Sequence, residues 1–215
     1  MKKPEKIMKI LLKEFKPYAK PTVRQTSETK NPFKTLISCL LSLRTQDKNT
    51  AKASASLFKV ANTPEEIAKL PIKKLEKLIF SSGHYKKKAR TLKHVSQILI
   101  KKYNSKVPKT KETLLSIKGI GPKTANIVLS FAYEKNVIAV DTHVHRIPNR
   151  LGLVKTKTPE QTEIELMKIF PKKYWKEINT TLILFGKNIC VPISPKCSTC
   201  PIKKLCQRVG VERSR

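Results

Sequence analysis

Apolar residues recur along this chain at the three- and four-residue spacing of amphipathic helices, and the alternation typical of strands does not persist. The spacing predicts a helix over residues 1–16, a polar connector over 16–32, and a buried helix that starts at Phe33 and ends near 44–47. Further helices are predicted over residues 49–58, 63–70, 72–80, 85–102, 142–150, 159–170 and 174–187. The pattern therefore predicts an all-α fold with about ten short helices.

The stretch from 114 to 141 contains a second kind of signal. Gly119 and Gly121 lie between an apolar turn and a second apolar stripe of helical spacing. Glycine allows the positive φ of a tight reversal, and Pro122 suits the first position of a following helix, so we predict a helix, a hairpin and a helix. A phosphate can approach the backbone N–H groups beside the two glycines, where the helix dipole also favours an anion. The alternative is a plain turn between two core helices, because a Gly-x-Gly match is short.

The charge of the chain favours the first interpretation. Its 46 lysines and arginines outnumber 15 acidic residues, which gives a net charge of +31 and a pI near 10.2. Such an excess is typical of a protein with a polyanionic partner. A solvated surface of the heat-stable type is the alternative, but those surfaces gain Glu together with Lys. No apolar run of about 18 residues predicts a membrane span, and we expect a soluble, intracellular protein.

Most of the cysteines form one cluster in the sequence. Cys39 lies alone among apolar residues and is expected to be a small core residue. The other four have the spacing C-x6-C-x2-C-x5-C: Cys190, Cys197, Cys200 and Cys206. Clustered thiols in a chain without a recognisable secretion signal favour a metal over disulfides. One C-x2-C pair with a single cysteine on each side suits a cubane [4Fe–4S] cluster, and zinc is the alternative.

An acidic residue follows the apolar run 137–140. Asp141 stands where a helix N-cap is expected, before the helix predicted from residue 142. Capping is the simplest role for this side chain, and a chemical role is compatible with it.

Three motifs taken together resemble the endonuclease III family of DNA glycosylases. These are L-x-x-I-x-G-I-G-P-K-T-A-N, A-V-D-T-H-V-x-R and the cysteine spacing above, and the likeness runs in order over nearly the whole chain. The resemblance implies a helix–hairpin–helix glycosylase fold with two domains. A six-helix domain would span residues 22–133, and an iron–sulfur cluster domain would combine residues 1–21 with 134–215.

The resemblance also implies an activity, namely excision of oxidised pyrimidines from duplex DNA followed by nicking 3′ to the abasic site in base excision repair. The family's nucleophilic lysine matches Lys123, and its catalytic aspartate matches Asp141. A neutral amine can displace a damaged base at the sugar C1′ and form a Schiff base, which permits β-elimination. Asp141 would stabilise the developing sugar cation or shuttle protons. Without the hairpin and Asp141, Lys123 would be one more solvated lysine.

Other residues match the DNA-contacting parts of the family. Gly119 and Gly121 belong to the hairpin, and His84 matches a loop residue that fills the space left by a flipped nucleotide. Its alternative is an exposed loop histidine. The stretch from Arg44 to Asp47, which includes Gln46, matches the loop that faces the opposite strand, where many relatives carry Gln at the position of Arg44.

A second departure from the family is Pro148. Because proline lacks the N–H that would donate to Val144, we expect it to kink or shorten the helix that follows Asp141.

Two other functions stay open at this point. One is a glycosylase of the same superfamily for mismatched thymine, adenine or another lesion, and the other is a non-catalytic DNA-binding module. Adenine-removing relatives lack the lysine that Lys123 supplies here. The expected partner is double-stranded DNA with damaged bases or abasic sites, and the expected protein is a cytoplasmic, nucleoid-associated monomer without membrane contact.

Overall fold

The structure is a computed structural model that describes residues 2–215. All regular elements of these residues are helical, as the sequence pattern predicts. The twelve α-helices of the described residues are α1 (Lys3–Phe15), α2 (Thr22–Ser27), α3 (Pro32–Ser42), α4 (Asp47–Phe58), α5 (Pro64–Lys69), α6 (Ile72–Leu78), α7 (Tyr85–Tyr103), α8 (Lys111–Leu115), α9 (Pro122–Ile127), α10 (Thr142–Leu151), α11 (Pro159–Ile169) and α12 (Trp175–Asn188). Among them, no helix combines the length and the apolar character that crossing a membrane requires.

The chain divides into two compact units. One is the continuous segment Thr22–Lys135, and the other joins Met1–Pro21 to Asn136–Arg215. The continuous unit is built around α3, whose apolar side chains are almost completely buried, as at Leu36, Ile37 and Leu40. A single turn of π-helix, Val128–Ala132, continues α9 within this unit. Such turns are rare and are found frequently at functional sites.

The connector predicted over residues 16–32 is wrong in its centre, because α2 lies there. The backbone N–H of Thr22 donates to both carboxylate oxygens of Asp47, at 3.1 and 3.3 Å, and the Thr22 hydroxyl donates to the Asp47 carbonyl. Asp47, 25 residues further along the chain, therefore fixes the start of this short polar helix. No local pattern in the sequence predicts that contact.

The discontinuous unit has its own core. The apolar stripe of α1, which includes Ile7, Leu11 and Phe15, packs with residues of α10, α11 and α12. The Phe15 and Phe185 rings meet edge to face with centroids 6.1 Å apart. Helix α1 is thereby built into a core whose other members lie more than a hundred residues further along the chain.

Helix α10 continues through Pro148. The helix runs to Leu151, so the expected shortening is wrong. Val144, Ile147 and Leu151 are buried on one side of α10, and this packing offsets the loss of one backbone hydrogen bond. The side-chain amide of Asn149 also donates to the His145 carbonyl at 2.8 Å in the same turn.

Candidate nucleic-acid interface and active site

The predicted hairpin is present between α8 and α9. Gly119 has a φ of 104°, and a Cβ added there would lie 2.7 Å from the Thr91 Cγ2 atom, so this position requires glycine. Gly121 differs from the expectation, because its φ is −98° and it serves as the N-cap of α9. A Cβ at Gly121 would meet nothing within 4 Å. The second glycine therefore leaves open space beside the start of the helix and does not make the reversal.

The start of α9 has no side-chain cap. Gly121 has no side chain that could accept from the first N–H groups of the helix, and Pro122 occupies the first helical position, as predicted. Both hairpin glycines are exposed. Backbone N–H groups in the first turn of a helix remain without intrahelical partners, so this turn can receive an anionic oxygen.

Lys123 is the second residue of α9 and is half-buried. Its ammonium lies close enough to α3 to act on the thiol of Cys39, which is buried as predicted. Burial raises the pKa of that thiol, and the positive charge of Lys123 opposes the rise. The Cys39 Sγ atom also contacts the Thr124 hydroxyl at 3.7 Å. The hairpin thus sets the amine of Lys123 beside an apolar helix.

Asp141 is the N-cap of α10, which confirms the capping prediction. Its Oδ1 atom accepts the N–H groups of His143 and Val144, both at 2.9 Å. Within the described residues its second carboxylate oxygen accepts no hydrogen bond, and the side chain is partly exposed. One oxygen caps the helix, and the other is not used by the cap. Lys123 belongs to the continuous unit and Asp141 to the discontinuous one.

Two loops of the continuous unit carry the other sequence-predicted residues. Residues 43–46, part of the stretch predicted to face the opposite strand, are named the opposite-strand loop, and residues 81–84, which contain the predicted wedge residue His84, are named the wedge loop. Arg44, Gln46 and His84 are all exposed. Arg44 and His84 both adopt the left-handed backbone conformation, with φ of 51° and 58°. The two loops approach each other closely at Gly83, because a Cβ added to it would lie 2.9 Å from the Arg44 carbonyl oxygen.

Sequence reasoning overlooked one residue beneath these loops. Lys88 is only 8% exposed, and burial lowers its pKa to about 8. The signal was available, because Lys88 falls on the same face of α7 as Leu92, Val95 and Leu99, which form the buried stripe of that helix.

The four C-terminal cysteines line one cavity in the discontinuous unit. All four are free thiols. Two of the sulfur atoms have donors close to them: the backbone N–H of Arg208 lies 3.3 Å from Cys206 Sγ, and the Arg150 guanidinium lies 3.5 Å from Cys190 Sγ. The same guanidinium donates to the carbonyls of Val191 and Pro192 at 2.8 and 3.0 Å. Arg150 thereby fixes the start of the cysteine segment.

The donor set of this cavity suits an electrophilic, thiolate-binding group. Burial, followed by the influence of the neighbouring thiols, raises the pKa of Cys200 to about 11 and also raises that of Cys206. A bound metal would replace these protons, since thiolate is the ligand form. Within residues 2–215, no three His, Cys, Asp or Glu side chains converge closely enough to hold one metal ion.

Comparison with known proteins agrees with this set of sites. Residues 37–172, well over half of the chain, match the family model of HhH-GPD superfamily base excision DNA repair proteins. Endonuclease III of Thermotoga maritima is 50% identical over 184 residues, which cover 86% of each chain. The chain is a member of the endonuclease III family. It is accordingly a base excision repair enzyme, a DNA glycosylase with abasic-site lyase activity.

Two solved structures extend the comparison with this family member. One is an endonuclease III trapped as a covalent intermediate on DNA, with a TM-score of 0.83, 34% identity and coverage of 97% of both chains. The other is a thermostable thymine-DNA glycosylase, with a TM-score of 0.84, 25% identity and coverage of 96% of both chains. The fold is common to both, and the sequence is nearer to the endonuclease.

Proposed function

We propose that this enzyme excises oxidised pyrimidines from duplex DNA and then cleaves the strand 3′ to the abasic site by β-elimination. The observation that carries the proposal is the position of Lys123, the second residue of the helix that directly follows the Gly119 hairpin. The hairpin offers uncapped N–H groups to a phosphate, and the lysine amine follows within two residues. A DNA backbone held at the hairpin would therefore present its sugar near that amine.

In the proposed reaction the neutral amine of Lys123 attacks C1′ of the damaged nucleotide. The C1′–N bond breaks, the base leaves with the bonding electron pair and takes up a proton, and the sugar ring opens to a Schiff base on the amine. Loss of a C2′ proton then expels the 3′ phosphate as the leaving group. Water releases the unsaturated sugar from Lys123, which regenerates the amine.

Asp141 is proposed as the electrostatic and proton-transfer partner. Positive charge develops on the sugar while the base departs, and a carboxylate near it stabilises that state. The free carboxylate oxygen of Asp141 supports this role, because the other oxygen already serves as the cap of α10. Capping also restricts the side chain to one orientation, which lowers the cost of placing the charge.

Four cysteines are proposed to hold a [4Fe–4S] cluster: Cys190, Cys197, Cys200 and Cys206. The four thiols line one cavity, and their C-x6-C-x2-C-x5-C spacing favours a cubane cluster over zinc. When bound, the cluster would cross-link the cysteine segment and so order its basic residues. Arg150 and the N–H of Arg208 already lie against two of the sulfur atoms and would balance the negative charge of the thiolates.

The duplex is proposed to contact the hairpin glycines Gly119 and Gly121 and the two exposed loops. His84 would fill the space of the extruded nucleotide, while Arg44 and Gln46 would face the opposite strand. The net charge of +31 supplies the long-range attraction to phosphate. We further propose that the enzyme acts as a cytoplasmic monomer on the nucleoid.

A mismatch-thymine specificity is the second candidate, because the thymine-DNA glycosylase shares the fold at a TM-score of 0.84. Its lower identity, 25% against 34% for the endonuclease structure, favours the oxidised-pyrimidine proposal.

Borohydride trapping on a panel of duplexes distinguishes the candidates. The panel holds thymine glycol opposite adenine, thymine opposite guanine, a preformed abasic site and an undamaged duplex. We expect trapped complex with thymine glycol and the abasic site. Trapping with the mismatch but not with thymine glycol would establish the second candidate. Binding with neither trapping nor base release on any duplex would contradict the proposed reaction.

A further inference from the structure

Lys88 differs in burial from the two lysines that precede it. Lys86 and Lys87 are exposed, whereas Lys88 is 8% exposed at the start of α7. Each of its three ammonium protons has an acceptor: the Leu41 carbonyl at 2.7 Å, the Thr45 hydroxyl at 2.8 Å and the Ser82 hydroxyl at 2.8 Å. A buried charge is costly unless such partners are present. The three acceptors therefore stabilise the buried ammonium of Lys88.

The three acceptors come from three different segments. Leu41 belongs to the last turn of α3, where carbonyls lack intrahelical partners and the helix dipole favours a cation. Thr45 belongs to the opposite-strand loop, and Ser82 belongs to the wedge loop. Lys88 therefore connects both loops to the end of one buried helix.

Further contacts complete the connection. The N–H of Gly83 donates to the Thr45 hydroxyl at 3.0 Å, and the Ser82 hydroxyl donates to the Leu41 carbonyl at 2.9 Å. The left-handed conformations of Arg44 and His84, each adjacent to one of these residues, persist only where the surroundings fix the backbone.

We propose that Lys88 is a positioning residue that holds the two loops as one rigid part, so that Arg44, Gln46 and His84 enter the duplex together. This inference rests on the proposed function, which assigns those three residues to DNA. An ammonium suits the task, because three donors on one atom can meet acceptors from three directions. Burial lowers the pKa of Lys88 to about 8, and the group therefore remains protonated at neutral pH.

The rigid part matters for one step in particular. Extruding a paired lesion requires its base pair to be opened and the base to be unstacked, whereas an abasic site has already lost its base pair. A loosened pair of loops should therefore slow excision of a paired lesion more than cleavage at a preformed abasic site.

The test uses the whole protein and the variant Lys88→Met. Its fold should survive, because the Thr45 and Ser82 hydroxyls and the Leu41 carbonyl each keep another hydrogen bond. We expect single-turnover excision of thymine glycol opposite adenine to fall by about tenfold or more, while cleavage of the abasic duplex changes by less than about threefold. Thr45→Val, which removes the shared acceptor without changing the charge, should give the same selective loss. Lys87→Met removes an exposed charge beside it and should leave the ratio of the two rates unchanged.

Equal losses on both duplexes, or no loss on either, would overturn the inference. If Lys88→Met does not fold, the ratio measured for Thr45→Val decides. If wild-type protein does not excise thymine glycol, the proposed function has failed, and hydrogen exchange of the Gly83 amide then tests the inference separately. Faster exchange at Gly83 in Lys88→Met than in Lys87→Met supports the network, and identical exchange refutes it.

Discussion

The two oxygens of Asp141 allow its structural and chemical roles to be separated by substitution. Asp141→Asn keeps an oxygen that can accept the His143 and Val144 N–H groups, now at 2.9 Å, but removes the charge. Asp141→Ala removes both the accepting oxygen and the charge. If the carboxylate stabilises the departing-base transition state, both variants should lose turnover, whereas only the alanine variant should lose the cap.

The magnitudes follow from these contacts. Asn is as good an N-cap as Asp, so Asp141→Asn should cost only the charge–dipole interaction, about 0.3–1 kcal/mol. Asp141→Ala adds the lost cap, typically about 1 kcal/mol more. For a chain of this size each kcal/mol lowers the melting temperature by roughly 2–4 °C. Turnover should fall by about a hundredfold or more in both variants, the scale of losing one electrostatic group in the transition state.

The assay measures thermal unfolding and single-turnover excision of thymine glycol on the same preparations. Thr158→Ala is the matched control, because the Thr158 hydroxyl caps α11 in the same unit by accepting the Gln161 N–H at 3.2 Å. That variant should cost about 1 kcal/mol in stability and leave excision unchanged. An Asp141→Asn enzyme with turnover within about threefold of wild type would refute the chemical role. Losses of turnover that follow the decrease in melting temperature across all three variants would also refute the chemical role of Asp141.

Three further predictions concern the other sites. Lys123→Gln should abolish borohydride trapping on an abasic duplex yet retain DNA binding in a gel-shift assay; wild-type levels of trapping would mean that another amine is the nucleophile. Purified wild-type protein should contain about four irons per chain by metal analysis, and Cys200→Ala should lose them together with DNA affinity; a colourless protein with one zinc would contradict the cluster. Gly119→Ala should destabilise the fold by more than about 1 kcal/mol in chemical denaturation, because of its positive φ and the contact with Thr91, whereas Gly121→Ala should not. Equal costs at the two glycines would contradict the hairpin geometry.

The sequence was most informative where local patterns decide the structure. The helix start at Thr63, the N-cap at Asp141 and the proline that starts α9 are all local signals, and all three were predicted. Helix α2 was missed because Asp47, from another helix, supplies its cap. Periodicity cannot report a contact between residues that far apart in the sequence.

The candidate site likewise combines features that local patterns predict with features that only the fold shows. The two glycines look equivalent in the sequence, and only the backbone angles reveal that Gly119 makes the turn while Gly121 starts the helix. The π-helical turn at Val128–Ala132 was likewise hidden, since its apolar residues satisfy ordinary helical spacing. Lys88 has a periodic position that marks it as buried, but its three acceptors come from segments that only the fold brings together.

The discontinuity of one unit has a consequence during protein synthesis. The continuous segment Thr22–Lys135 can fold as soon as it has left the ribosome, whereas α1 must wait for α12. About 160 residues separate Phe15 from Trp175, which at bacterial or eukaryotic translation rates corresponds to roughly 10–30 s. Throughout that interval the nascent chain carries the apolar stripe of α1 without the complete core that will cover it. The first helix to be made is thus among the last to reach its native contacts.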